Sequence, residues 1–162
     1  MQIEITEKAE LKAREVRNDE VKRWLDRYRN EKRRLRRLQL EYEEMVASQE
    51  GVTAITYDGV HVQSGGGNNS DLANIMVRRD AYLTKIIKAQ TRLEEVRREI
   101  SDALEQLDSD EAEILSCRYL QLDGMEQRTW EEICVLTHCS WRKAHHLHSD
   151  ALDTLAQIIG VR

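Results

Sequence analysis

Between Leu72 and Leu107 apolar side chains return in alternating steps of three and four: Leu72, Ile75, Tyr82, Ile86, Ala89, Leu93, Val96, Ile100, Ala103 and Leu107. Arg79 alone falls off the pattern, and no Gly or Pro interrupts it. Only a helix brings residues at those steps onto one face. At the 1.5 Å rise of an α-helix the rod would be about 54 Å long. A rod with one narrow apolar stripe has no core of its own and needs a partner along its length.

The nearest partner is the N-terminal stretch. From about Thr6 to Ala47 the chain lacks Gly and Pro and is rich in Glu, Lys, Arg and Leu, which predicts one long helix. Val21, Tyr28, Leu35 and Tyr42 recur every seven residues, Trp24, Leu38 and Met45 fill the positions between, and Glu31 interrupts them. Two such seams predict an antiparallel helical hairpin or coiled coil over residues 1–107. A second copy of the chain would satisfy the same stripe, and a four-helix homodimer satisfies both. The first helix also carries Lys32, Arg33, Arg34, Arg36 and Arg37. These are either a solvated face paired with nearby Glu or a second basic patch that contacts phosphate or a polymerase.

Residues 48–70 are expected to break the helices. Thr53–Tyr57 and Val60–Val62 flank Asp58-Gly59, a hairpin-turn signal, so the segment is either a loop or a small β-hairpin. The run Gly65-Gly66-Gly67 follows. It has neither the strand before it nor the Lys-Ser/Thr pair after it that a phosphate-binding loop requires.

After a break near Asp108–Ser109, a helix from about Asp110 to Leu122 presents Ile114, Leu115, Tyr119 and Leu122. Thr129 and Glu132 have capping-box spacing at the head of a short helix carrying Ile133 and Leu136. Thr137-His138-Cys139 ends that helix, and Ser140 caps another. The last helix sets Ala144, Leu147, Ala151, Leu152 and Leu155 on one side. Trp141, Arg142, Lys143, His145, His146 and His148 lie on the other. Gly160 stands where a glycine stops a helix.

Charge runs against that cationic side. The chain carries a formal net charge of -5, and by counting along it residues 108–162 hold 5 Lys/Arg against 10 Asp/Glu. Only locally, from Ser140 to Ser149, are there two fixed positive charges, three histidines and no acid. Such a surface binds nucleic acid modestly and in a salt-dependent way, and gains from dimerisation. The 34% charged and 5% aromatic content, without Pro or Phe, suits long exposed helices better than a thick core. Three cysteines and no secretory signal predict a reduced, cytoplasmic protein. No apolar run reaches the ~20 residues of a membrane span.

Other chemistry is poorly supplied. Cys134, His138, Cys139, His145, His146 and His148 cluster in sequence without a CxxC pair or the spacing of common zinc modules, so no metal is expected. Glu131 and Glu132 are adjacent and diverge by about 100° on a helix, so they are not a carboxylate pair. No catalytic residues and no cofactor are expected.

The C-terminal third resembles the helix-turn-helix of sigma-factor region 4, and more closely phage late-gene transcriptional regulators of the ArpU/RinA type. The resemblance rests on Glu113-Ile114-Leu115, Arg118-Tyr119-Leu120, Trp130–Ile133, Ser140, Ala144, His146-Leu147-His148 and Ala151-Leu152. It implies an all-α chain: a long-helix region over residues 1–107 and a helix-turn-helix DNA-binding domain over 108–162. It also implies a transcriptional regulator in the cytoplasm of a prophage-carrying bacterium. The partners it implies are double-stranded DNA and, as a further expectation, RNA polymerase. The recognition helix spans 140–158, with Ser140, Trp141, Arg142, Lys143, His145, His146 and Ser149 facing a major groove. Two other functions fit the same pattern: a small terminase-like subunit that recognises DNA during viral packaging, and a coiled-coil adaptor that binds only protein.

Overall fold

The computed structural model describes the backbone of residues 2–55 and 68–161, and the side chains of 7–48 and 73–161. The described residues are mostly helical and contain no β-strand; an isolated bridge joins Asp123 to Glu126. The helices are α1 (Gln2–Leu25), α2 (Arg27–Ile55), α3 (Asn68–Leu104), α4 (Ser109–Leu115), α5 (Trp130–Leu136) and α6 (Trp141–Ile158), with a π-helical turn, Ser116–Leu120, directly after α4. No helix among the described residues is long and apolar enough to cross a membrane.

The long N-terminal helix forms as its composition predicts, but bent. Asp26 stands between α1 and α2, yet its N–H still donates to the Lys22 carbonyl at 2.8 Å and its carbonyl accepts from the Asn30 N–H at 3.0 Å. The helix also runs past the expected break at Ser48, continuing to Ile55. The Asp58-Gly59 turn and the three-glycine run lie outside the described residues.

The chain divides into two compact units, residues 1–32 with 94–162, and residues 33–93. In the second unit the seam positions Leu35, Leu38, Tyr42 and Met45 of α2 are half-buried, as are Ile75, Tyr82, Ile86 and Leu93 of α3. Ala89 is the one buried side chain there among the described residues. Arg79, the charged residue within the stripe, is exposed.

The first unit has a layered core. Val21 and Leu25 of α1, Val96, Ile100, Ala103 and Leu104 of α3, Leu115, Tyr119, and Ala151, Leu152, Leu155 and Ala156 of α6 form one cluster. A smaller cluster of Ile114, Cys117, Ile133 and Ala144 joins α4 and α5 to the start of α6, with Trp130, Cys134, Cys139 and Leu147 packed on it. Burying an aliphatic side chain this fully stabilises by roughly 1.5–3 kcal/mol. These residues therefore fix where α6 lies.

Turn chemistry sets the ends of α5 and α6. His138 adopts φ 51 after α5, and the Cys139 N–H donates to the Cys134 carbonyl at 3.2 Å. That is the Schellman arrangement, with a histidine in the left-handed place a glycine usually takes. Gly160 does the same for α6 at φ 74: its N–H reaches the Gln157 carbonyl, and the Val161 N–H reaches Ala156. Asp108 occupies the cap position of α4 without a side-chain hydrogen bond.

Candidate functional site

The site is built on the helix pair α5 and α6. Thr129 and Glu132 form the full capping box: the Thr129 N–H donates to the Glu132 carboxylate at 2.7 Å, and the Glu132 N–H donates to Thr129 Oγ1 at 3.3 Å. Those bonds hold the Glu132 carboxyl below its ordinary pKa. Ser140 caps α6, its Oγ accepting from the Lys143 N–H at 3.3 Å. Ile133 and Ala144, both 0% exposed, lock the two helices together. The four-residue connection between them leaves the first turns of α6 at the surface.

The predicted contact residues do not share one environment. Ser140, Trp141, Arg142, Lys143 and His146 are exposed, and Trp141 keeps 59% of its surface. Lys143 is ion-paired with Asp110 of α4 at 3.2 Å, a bond that raises its pKa. His145 is half-buried rather than outward-facing. Its ring lies 3.9 Å from both the Trp130 and the Trp141 rings, and the Arg118 guanidinium sits 4.5 Å from the Trp130 centroid on α5. Arg118, Trp130, His145 and Trp141 thus form a brace that orients Trp141. Its members come from three elements; Trp141 and His145 have the i, i+4 spacing of one helix face, but no spacing in the sequence brings Arg118 and Trp130 to them.

His148, read from sequence as part of the cationic side, faces inward. Its Nε2 lies 3.3 Å from the Tyr119 hydroxyl. Burial, then the charges of Arg118, Lys22 and His145, push its pKa down to about 4. Burial likewise pushes Tyr119 up to about 12, so its hydroxyl stays protonated and can donate to the neutral imidazole.

Ser149 is half-buried and is met by α1: Arg14 Nη2 donates to its Oγ at 3.3 Å. The same guanidinium binds the Asp153 carboxylate, through Nε at 2.7 Å and through a close Nη2 contact, and lies 3.9 Å from Asp150. The cationic surface therefore spans the first two turns of α6 and gives way to Asp150 and Asp153.

Of the second basic patch, Lys32 is half-buried, whereas Arg33, Arg34, Arg36 and Arg37 are exposed; Arg36 lies 3.9 Å from Glu43. Cys134 and Cys139 are half-buried against the smaller core, and Cys117 is buried within it. Among the described residues no three His, Cys, Asp or Glu side chains gather as a metal site.

The described residues are mostly helical, without a strand, and present the capped helix α6 by its N-terminal end. No family model, no curated protein and no solved structure matches it.

Proposed function

We propose that the chain is a sequence-specific DNA-binding transcriptional regulator in which α5 and α6 act as a helix-turn-helix. One observation carries this: Trp141, Arg142 and His146 are exposed on the leading turns of a helix whose rear is anchored by Ala144, Leu152 and Leu155 at 0–2% exposure. A rigid helix with a free, cationic N-terminal end is what a major groove admits.

Each residue then has a role. The α6 N-terminus and Ser140 receive a backbone phosphate. Arg142 offers a bidentate fork to guanine O6 and N7. Lys143 exchanges Asp110 for a phosphate at little cost, because an exposed ion pair is weak. The brace holds the Trp141 ring against a sugar or a thymine methyl, and His146 donates to a base or phosphate. Asp150 and Asp153 limit the footprint to about two turns. A reading surface that short gains from pairing two half-sites, so a homodimer through the long helices, with RNA polymerase as a further partner, completes the mechanism. The resemblance to ArpU/RinA-type regulators supplies the setting, late-gene control in the bacterial cytoplasm.

Selection from a random duplex library with purified protein tests the proposal. It predicts an enriched motif whose binding weakens steeply with salt. No enrichment, even at low salt, would refute it.

A protein-only adaptor is favoured by a different observation. Val135 (73% exposed) and Leu136 (45%) lie beside Trp141 in sequence at the same end of the helix pair, and the first unit holds 16 basic against 23 acidic residues. A stable protein complex without salt-sensitive DNA binding would establish that role instead.

A further inference from the structure

On the α1 side of α6, away from Arg142 and His146, the first unit encloses a cleft of about 460 Å³. Asn18 and Lys22 of α1, Arg118, Trp130 of α5, and His145 and Ser149 of α6 are among its walls. We propose that this cleft is a binding site for a small organic phosphomonoester of about mononucleotide size.

Two unanswered polar atoms support the assignment. Asn18 Oδ1 and His145 Nε2 are both buried and have no hydrogen-bond partner. Both residues line the cleft, so a turn of either side chain on ligand binding would bring its unanswered atom to the ligand. The surrounding charge selects an anion. Lys22 and Arg118 line the cleft; Arg118 donates through Nη1 to the Arg128 carbonyl at 2.9 Å and stacks on Trp130 but keeps its charge, whereas the one acid, Asp26, is offset by Arg29 at 3.3 Å and accepts from Gln127 at 2.8 Å. Lys22 pairs with Asp19 at 3.0 Å, but both are exposed enough for a ligand to displace the bond cheaply. The pKa of His148, on the same wall, is lowered in part by Arg118 and Lys22, so their positive potential reaches the cleft.

The donors and acceptors narrow the class. Two cations, the Ser149 hydroxyl and the His145 ring nitrogen suit the three acceptor oxygens and the charge of about -2 on a phosphomonoester. Asn18 Oδ1 requires a donor, which a sugar hydroxyl or a base amino group supplies and a bare phosphate dianion does not. This site does not depend on DNA binding, and its test is separate.

Calorimetric titration of the full chain with AMP, GMP, CMP, UMP and ribose 5-phosphate, with adenosine and inorganic phosphate as controls, decides the matter. The expected result is binding of at least one phosphomonoester with a Kd below about 1 mM, and at least about tenfold weaker binding of both controls. Lys22→Met should weaken that binding by about tenfold or more without moving the thermal midpoint, and Asn18→Ala should weaken it less. Absence of binding by every phosphomonoester at about ten times that concentration, or full binding by Lys22→Met, would overturn the assignment.

Discussion

The two halves of α6 differ sharply in burial. From Ala151 to Ala156 the helix is core: Ala151, Leu152, Leu155 and Ala156 are at most 3% exposed, and Asp153 is held by Arg14. From Trp141 to His146 only Ala144 is fully buried, and the remaining side chains reach solvent or the aromatic brace. One helix thus commits its C-terminal half to the core and leaves its N-terminal half at the surface, where the proposed recognition would take place. Substitutions in the first half should change binding, and substitutions in the second should change folding.

The largest stability effect belongs to the buried half. Leu155→Ala removes a 0% exposed side chain and should cost about 2–5 kcal/mol, measured by urea unfolding. A loss below about 1 kcal/mol would mean that the core around α1, α3 and α6 is looser than its burial implies.

His148 sits between the halves, and its depressed pKa of about 4 has a definite sign. The unfolded chain binds this proton near pH 6.5 and the folded chain only near 4. Its contribution is therefore complete above about pH 6.5 and is lost as pH falls through that window toward 4, by at most about 3 kcal/mol. Unfolding curves of the parent and of His148→Gln between pH 4 and 7 should diverge in slope. Parallel curves would place His148 in solvent.

Smaller effects follow at the helix ends and along α1. Thr129→Ala breaks the capping box and should cost about 1 kcal/mol, seen as a lower thermal midpoint. Arg14→Ala should cost no more than about 1 kcal/mol, because the guanidinium is 42% exposed. A double-mutant cycle with Asp153→Ala should still give a favourable coupling. Zero coupling would free the α1–α6 contact from any role in limiting the cationic surface.

Much of the architecture was legible because it is periodic. The stripe from Tyr82 to Ala103 marks buried and half-buried positions of α3, and the caps Thr129, Ser140 and Gly160 mark helix ends. Local chemistry writes such features into adjacent residues. The core of the first unit was not legible, because it joins Val21, Ile100, Leu115 and Leu155 from four separated stretches. Nothing near Arg14 signals Asp153, and nothing near His148 signals Tyr119. His145 illustrates the same limit. Helical spacing set it on the outward face of α6 four residues from Trp141, but the Trp130 ring that half-buries it depends on how α5 packs.

The most direct test of the surface assigned to the leading turns of α6 measures folding and DNA binding together in Arg142→Ala. Arg142 is exposed and outside both hydrophobic clusters, so the thermal midpoint should not move. In a mobility-shift titration against the selected duplex, specific binding should weaken by about 1–3 kcal/mol. Unchanged affinity with unchanged stability would contradict the account and remove Arg142 from any DNA-reading surface.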